Sequence, residues 1–168
     1  SGDLGNSFIF GRPALTLISE RFPATLELAL CALIIAITIG LPLGVYAGLN
    51  PNSFGTRLIM SGSVFGISIP TFWLGYLLIL FFSVNLNIFP IQGMSNPRYS
   101  LEGWEYYIDV FKHLALPLLT MVLTQLAQVV LLVKSRLSEE IQRPYFKTAL
   151  SKGLKRQSAI FNHALPNA

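Results

Sequence analysis

Residues 28–49 read LALCALIIAITIGLPLGVYAGL and contain no charged side chain. The charge-free run continues to residue 56, between Glu27 and Arg57. Because about 20 residues of α-helix cross the hydrocarbon core of a bilayer, this run is long enough to span a membrane. The stretch therefore predicts an apolar helix that lies in lipid.

Two further charge-free runs follow, at residues 58–97 and 114–133. The first is too long for one helix, so it must contain a span and a loop. We predict spans near residues 26–48, 59–83 and 114–134. The composition agrees, since 52% of the 168 residues are hydrophobic and 12% are charged. Charged residues make up about a quarter of a soluble domain, so the low charge indicates a membrane protein. Because the three apolar runs are of helical span length, the predicted fold is all-α.

Lysine and arginine concentrate on one side of the predicted spans, which indicates their orientation. Three spans place the loop at residues 49–57 and the tail on the same side, with eight basic residues against four on the other. We predict an outer loop and interfacial helix in residues 1–25, three spans in residues 26–134 and a cytoplasmic segment in residues 135–168. The net charge of +4 follows from this topology and requires no nucleic-acid partner.

Two segments on the outer side have apolar residues at helical spacing. Residues 13–22 predict a short helix at the outer membrane face, ahead of Pro23. In the outer loop at residues 84–113, Trp104 and its aromatic neighbours suit the headgroup region. Anchoring at the interface and gating of a substrate path are both open for this loop. Its residues at helical spacing are Leu101, Trp104, Ile108 and Phe111, and its aromatic neighbours of Trp104 are Tyr106 and Tyr107.

Small residues recur four apart in the first two spans, a spacing that lets membrane helices approach closely. They are Gly40, Gly44 and Gly48 in the first span and Gly62 and Gly66 in the second. We predict a helix-packing role for them. Pro42 and Pro70 each remove a backbone hydrogen bond, which predicts a kink or a broken turn.

Four polar side chains lie on neighbouring faces of the third span, namely Thr120, Thr124, Gln125 and Gln128. Polar groups are costly in lipid, so these side chains are expected to face protein or a water-filled cavity. Hydrogen bonding between helices and lining of a translocation path are both open. The middle of the spans contains no ionisable residue, which argues against a proton relay.

The sequence has no catalytic or cofactor-binding motif. The P-loop run G-x-x-x-x-G-K-[ST] is absent, and no nucleophile–base pair is evident. His113 and His163 are far apart in the sequence, and neither is predicted to bind a metal. The single cysteine, Cys31, cannot form an internal disulfide. We therefore predict no enzyme activity, no cofactor and no metal site.

The basic tail contains two short helical patterns. The helix that continues from the third span is expected to end at Arg143, because Pro144 follows it. Further helices are predicted at residues 145–152 and 157–165, with Gly153 between them in a left-handed C-terminal cap. Helices this short are unstable alone in water, so their apolar residues need a partner surface. These residues are Phe146, Ala149, Leu150, Ile160, Phe161, Ala164 and Leu165.

Several motifs along the chain resemble a known family. They are GDLG at 2–5, GRP at 11–13, RFPATLEL at 21–28, GLPLGV at 40–45, SIPTFWLG at 68–75 and HALPNA at 163–168, with Tyr145, Thr148, Ala149, Lys152, Gly153 and Leu154 in the tail. In this order and at these separations they resemble the inner-membrane permease subunits of binding-protein-dependent ABC importers. The similar branch is the one for dipeptides, oligopeptides and nickel, and the resemblance covers nearly the whole chain.

The resemblance implies the helical bundle of a type I ABC importer permease in the bacterial cytoplasmic (inner) membrane. Such a permease typically has six spans, so this chain corresponds to an internal piece without the first span and the last two. The implied partners are a second permease subunit, two P-loop ATPase subunits that bind ATP, and an extracytoplasmic substrate-binding protein. Residues 145–166 are implied to couple to an ATPase subunit. The implied coupling residues are Tyr145, Phe146, Thr148, Ala149, Lys152, Gly153, Leu154, Ile160, Phe161 and His163.

The tail departs from the family pattern at two places. Leu150 and Ser151 stand where the family usually has Arg and Ala, and Lys155 and Arg156 replace the serine that caps the second short helix. Ser158, one turn later, is the remaining candidate for that cap.

The implied function is movement of peptides or related small solutes through a path formed by the spans, driven by ATP hydrolysis in the partner subunits. Dipeptides, oligopeptides, nickel, glutathione and antimicrobial peptides are all candidate substrates. The competing hypothesis is a membrane scaffold or channel whose basic tail binds anionic lipid. A secondary transporter is disfavoured by the lack of a charge in mid-membrane.

Overall fold

The computed structural model of this chain describes residues 4–93 and 103–168. Within these ranges the chain is helical, and its one extended pairing is an isolated β-bridge between Asn6 and Pro13. The helices are α1 (Ala14–Leu49), α2 (Phe54–Ser68), α3 (Thr71–Leu78), α4 (Trp104–Gln142), α5 (Pro144–Ser151), α6 (Arg156–Ala159) and α7 (Leu165–Asn167). A π-helical segment, Ile79–Asn85, extends α3, and a second, Ile160–Ala164, joins α6 to α7. The predicted all-α fold is confirmed.

Two helices in the described ranges are long and apolar enough to cross a membrane on their own. α1 has 36 residues and α4 has 39. At a rise of 1.5 Å per residue they are roughly 54 and 58 Å long, well beyond the ~30 Å of a hydrocarbon core. α2 and α3 with its extension qualify only as a pair, and this pair bends by 99° at its break.

α1 and α4 pack closely along a glycine stripe of α1, which consists of Gly40, Gly44 and Gly48. From one end to the other, the facing pairs are Gly40 with Val129, Gly44 with Val133 and Gly48 with Leu137. A methyl group added at Gly44 would lie 2.7 Å from Cβ of Val133, which is closer than side-chain carbons approach each other. The two backbones therefore reach this separation only because α1 carries no side chain at these positions.

The order of the three pairs shows that α1 and α4 run in the same direction, because the residue numbers rise together on both helices. Both helices are long enough to cross a membrane, and between them in the chain α2 and α3 form a bent pair that has the length and composition of one broken span. The last turns of α1 and α4 consequently lie on the same side, where Val45 and Leu49 pack near Leu137. The three-span topology stays a prediction, and it requires α2 and α3 to form one span.

The outer helix and the first span, predicted as separate elements at residues 13–22 and 26–48, form one helix. Pro23 lies inside α1 and does not interrupt it. The hydrogen bond that proline removes is the one to the carbonyl of Ser19, and both residues are exposed, so no buried group loses its partner. α1 also continues through Pro42 without a broken turn.

The outer aromatic segment and the third span are likewise continuous. α4 begins at Trp104 and runs through Pro117 to Gln142, well beyond the predicted bounds of 114–134. Leu101, which was expected to share a face with Trp104, lies outside the described residues.

The second predicted span, at residues 59–83, is broken before Pro70. Ile69 is extended, with φ −86° and ψ 123°. The ring of a proline disfavours the α conformation in the preceding residue, so α2 ends at Ser68 and α3 starts in a new direction at Thr71. Of the two prolines expected to distort a span, Pro70 alone breaks its helix.

The two glycines of α2 have different surroundings. A methyl group added at Gly66 would lie 3.3 Å from Cβ of Ala127, so Gly66 lies against α4. One added at Gly62 would meet nothing within 4 Å in the described part of the chain. Within these residues, close packing involves Gly66 and does not involve Gly62.

Candidate functional site

The tail begins at a sharp joint after α4. α4 ends at Gln142, Arg143 is extended with φ −66° and ψ 149°, and Pro144 is the first residue of α5. Proline has no N–H and disfavours an α conformation in the residue before it, which accounts for the end of α4 and the start of α5. The short helix predicted at residues 145–152 corresponds to α5.

Gly153 ends α5 with a left-handed backbone conformation, at φ +89°. The N–H of Gly153 donates to the carbonyl of Leu150 at 3.0 Å, and the N–H of Leu154 donates to the carbonyl of Ala149 at 3.3 Å. These two bonds form a Schellman motif, which pairs carbonyls that a helix end leaves free. The cap sets the direction in which the chain enters α6.

The second short helix begins without a side-chain cap. Lys155 is its N-cap residue, and no side chain there hydrogen-bonds to the helix end. Ser158 lies inside α6, so the prediction that it caps this helix is wrong, because the helix already begins at Arg156. Near the C-terminus, the side-chain amide of Asn167 donates to the carbonyl of His163 at 2.6 Å.

A buried apolar cluster joins the tail to both long helices. It consists of Leu137 of α4, Phe146 of α5 and Ala159, Ile160 and Ala164 of the second short helix, with Val45, Leu49, Ile141 and Leu150 packed against it. Phe146 is 2% exposed and Ile160 is 4% exposed. The sequence had predicted both for a docking surface, but the structure buries them inside the chain. Burial of such a side chain is worth about 1.5–3 kcal/mol, so they hold the short helices on α4.

The other predicted coupling residues lie toward the outer surface of the tail. Phe161 is 57% exposed, Leu154 is also exposed, and Ala149 is half-buried. The polar members and the capping glycine are exposed, namely Tyr145, Thr148, Lys152, Gly153 and His163. The ten predicted residues therefore divide into two internal supports and an outer surface on which Phe161 is the largest apolar side chain.

A buried carboxylate lies at the joint between α4 and α5. Glu140 is 5% exposed and is the one charged residue that is buried in the part of the chain that the structure describes. Nε of Arg143 lies 3.0 Å from its Oε1, and the hydroxyl of Tyr145 donates to its Oε2 at 2.6 Å. Glu140 is not among the site residues predicted from the sequence. The sequence signal for this site is a glutamate with an arginine three residues later and a tyrosine five residues later, where a proline lies between the arginine and the tyrosine.

The ionisation of the two partners follows from these contacts. The hydrogen bond to Glu140 raises the pKa of Tyr145, because ionisation would lose the bond and place two anions together, while a hydrogen bond with Asn167 acts in the opposite direction. The pKa of Arg143 is raised mainly by its hydrogen bond to Glu139, at 3.2 Å, and by the charge of Glu140. Tyrosine therefore stays protonated and arginine stays charged at neutral pH.

The polar side chains of the third span differ in how they are satisfied. The hydroxyl of Thr120 donates to the carbonyl of Leu116 at 2.8 Å, and that of Thr124 donates to the carbonyl of Thr120 at 3.0 Å. Oε1 of Gln125 is buried without a hydrogen-bond partner in the described ranges, whereas Gln128 is exposed. Within those ranges, none of the observed bonds of these four side chains joins α4 to another helix.

A cavity of about 540 Å³ lies between α3 and α4. Its wall is mainly apolar, with polar contributions from Thr71 at the start of α3, Gln92, and His113 and Thr120 of α4. Of the four predicted pathway residues, Thr120 lines this cavity.

The sequence of most of the chain matches a family of membrane proteins. Residues 40–168 fit the family described as binding-protein-dependent transport system inner membrane component. The matched region includes the glycine stripe of α1, the broken second span, α4 and the whole tail. The chain belongs to this family. It is therefore a component of a transport system in the inner membrane, which it crosses more than once.

Three relatives match nearly all of this chain. A putative peptide transport system permease protein of Brucella abortus is 36% identical over 166 residues, which cover 99% of this chain and 51% of the relative. A probable D,D-dipeptide transport system permease protein of Escherichia coli is 35% identical over 182 residues, covering 99% and 54%. A putrescine export system permease protein of Escherichia coli is 31% identical over 183 residues, covering 99% and 57%.

The names of these relatives support the peptide branch of the permease family, which confirms the resemblance drawn from the sequence motifs. The chain spans about half the length of the curated relatives it matches.

Proposed function

We propose that this chain is part of a permease subunit of an ATP-driven importer. Membership of the binding-protein-dependent transport family is the observation that carries the proposal. In the proposed assembly, two partner ATPase subunits bind and hydrolyse ATP with the P-loop that this sequence lacks. A second permease subunit and an extracytoplasmic substrate-binding protein complete the proposed assembly. The competing scaffold or channel function is not favoured by the relatives, whose names are those of transport permeases.

We propose peptides or related small solutes as the substrates. Relatives of similar identity are named for peptides, D,D-dipeptides and putrescine, so the membrane helices of this family accept chemically different solutes. The middle of the predicted spans carries no lysine, arginine or carboxylate, and the cavity between α3 and α4 offers hydroxyl, amide and imidazole groups on an apolar wall. Such a wall does not select strongly by charge.

We further propose that residues 145–166 dock on an ATPase subunit on the cytoplasmic side. The outer surface of the tail carries Phe161 and the capped turn at Gly153, and the buried cluster beneath it touches both α1 and α4. The cluster therefore holds the tail against both long helices. ATP binding and hydrolysis then bias the spans between two arrangements.

Purification of the full-length protein tests this proposal. The protein is tagged in its native membrane and solubilised gently, and the expected result is stoichiometric recovery of a P-loop ATPase and a second permease. Phe161→Ala should lower ATPase recovery by about tenfold, the effect of losing roughly 1.4 kcal/mol at an interface, without lowering the amount of permease. Phe146→Ala should instead cost about 3–5 kcal/mol of folding stability, because Phe146 is buried.

Phe8→Ala is the matched control for Phe161→Ala, because Phe8 is also exposed but lies before α1. It should leave ATPase recovery unchanged. Recovery of the tagged protein alone would favour the scaffold or channel. Normal ATPase recovery with Phe161→Ala would exclude Phe161 from the docking surface.

We also propose that the polar stretch of α4 contributes to the translocation path, through Thr120, Thr124, Gln125 and Gln128. An exposed amide at Gln128 is costly against lipid, which favours contact with water. In the full-length protein with Cys31 replaced by serine, Gln128→Cys should react from the outer side with a membrane-impermeant maleimide. Gln125→Cys is the control and should react more slowly, because Oε1 of Gln125 is buried. Failure of Gln128→Cys to react in every nucleotide state would contradict its exposure to the path.

A further inference from the structure

Glu140 occupies a position that is unfavourable for a lone carboxylate. It is 5% exposed and lies in the last turn of α4, which contains no basic residue. The helix dipole presents its negative end there, so it opposes a negative side chain. A buried charge is tolerated where an opposite charge and hydrogen bonds compensate it. Glu140 therefore depends on groups beyond the end of its own helix.

These groups lie on the α5 side of the joint. Nε of Arg143 is 3.0 Å from one carboxylate oxygen, and the hydroxyl of Tyr145 donates to the other at 2.6 Å. The backbone N–H of Arg143 also donates to the carbonyl of Glu140, at 3.2 Å. Glu140 thus contacts the residues on both sides of Pro144.

The neighbouring acid, Glu139, has a different environment. It is exposed, and it pairs with Arg143 at 3.2 Å and with Arg136 at 3.9 Å. Ion pairs between exposed side chains contribute little to stability. Glu139 is the same residue type, next in sequence and bound to the same arginine, which makes it a close control for Glu140.

The joint needs directional contacts, because little else defines its angle. Arg143 alone separates α4 from α5, and rotation about its ψ swings the whole of α5. Pro144 has no N–H with which to continue the hydrogen bonding of α4. The apolar cluster around Phe146 holds α5 near α4, but hydrophobic contacts are not directional.

We propose that Glu140 is a positioning residue that fixes the angle between α4 and α5 through its contacts with Arg143 and Tyr145. The inference rests on the proposed docking of the tail on an ATPase, and it adds the element that turns movement of α5 into movement of α4. Without the Glu140 contacts, α5 stays docked but moves without carrying α4 with it.

Spin labels on either side of the joint test directly whether Glu140 fixes the angle between α4 and α5. In the full-length protein with Cys31 replaced by serine, spin labels are attached at two exposed positions, Leu132 of α4 and Ser151 of α5. Double electron–electron resonance spectroscopy then measures the distance between the two labels. Glu140→Ala should give a distance distribution at least about twice as wide as that of the wild type. Glu139→Gln should leave the width unchanged.

Glu140→Gln is a second variant, in case the alanine protein does not fold. Glutamine keeps the size of the side chain and an acceptor for Tyr145 but loses the charge that holds Arg143, so an intermediate width is expected. A wild-type width in both Glu140 variants would overturn the proposal.

The effect on coupling is measured in proteoliposomes with the ATPase partners and the binding protein, as dialanine transported per ATP hydrolysed. Glu140→Ala should lower this ratio at least about fivefold while ATPase recovery stays the same. A widened joint with an unchanged ratio would overturn the coupling role of Glu140. Failure of the wild-type protein to retain any ATPase would count against the proposed function. The widths of the distance distributions between the spin labels would still decide whether Glu140 fixes the angle of the joint.

Discussion

Replacement of Gly153 by valine is expected to abolish transport by the full-length protein while leaving its insertion in the membrane intact. Gly153 has φ +89°, a conformation that β-branched residues rarely adopt. Backbone strain of this kind costs about 1–3 kcal/mol. An added methyl group would meet no other described atom within 4 Å, so the penalty comes from the backbone and not from crowding.

The strain at Gly153 can be relieved only at the expense of the turn. A change of φ breaks the two capping bonds, from Gly153 to Leu150 and from Leu154 to Ala149, and redirects the chain that leads to Phe161. The proposed docking surface then loses its shape. The close contact of α1 with α4 involves other residues, which is why insertion of the membrane helices should be unaffected.

Uptake of dialanine by cells that express each variant measures the effect, with the amount of protein in the membrane determined by immunoblot. Gly153→Asn is the matched control, because asparagine tolerates left-handed backbone conformations better than other non-glycine residues. It should retain far more uptake than valine. Normal uptake by Gly153→Val would show that the capped turn has no part in transport.

Features of the tail that depend on local chemistry were predictable from the sequence. Pro144 cannot continue α4 and suits the first position of α5, and Gly153 can adopt the left-handed cap at little cost. These properties belong to the residue and its immediate neighbours. The cap at Gly153 was therefore predicted correctly, and the predicted bounds of 145–152 lie within one residue of α5 at each end.

Burial was not predictable, because it depends on elements that are distant in sequence. Phe146 and Phe161 are both apolar residues of short helices, but Leu137 and the end of α1 cover Phe146 and leave Phe161 exposed. In the sequence Glu140 resembles a second surface acid beside Glu139, but in the structure it is buried at the joint to α5.

The two prolines at residues 23 and 70 show the same limit within the membrane helices. Pro23 was predicted to separate the outer helix from the first span, and Pro70 to kink or break the second, but Pro23 lies within an exposed part of α1 that continues unbroken. Before Pro70, Ile69 is extended, and the chain changes direction between α2 and α3. Proline disfavours an α conformation in the preceding residue at both positions, and the tertiary context decides which of the two helices is interrupted.

The second large effect is expected from Gly44→Val, which should prevent α1 from packing on α4. The first side-chain atom at this position would lie 2.7 Å from Cβ of Val133 and 3.1 Å from the carbonyl oxygen of Val130. A backbone oxygen cannot move aside as the end of a flexible side chain can, so the helices must separate. Overpacking of a core costs about 1–3 kcal/mol, and separation of the helices adds the loss of neighbouring contacts. Thermal unfolding of the detergent-solubilised full-length protein should show a strongly lowered midpoint.

Two comparisons separate this contact from a general effect of valine in a membrane helix. Gly62→Val makes the same substitution where an added methyl group meets no described atom within 4 Å, and it should lower the unfolding midpoint much less. Combining Gly44→Val with Val133→Gly exchanges the large and small residues across the interface and should restore part of the lost stability, as expected for two positions in direct contact. Equal losses at Gly44 and Gly62, with no recovery in the double variant, would mean that the glycine stripe does not set the distance between α1 and α4. Because both helices end at the cluster that supports the tail, a partial recovery of stability should be accompanied by a partial recovery of transport.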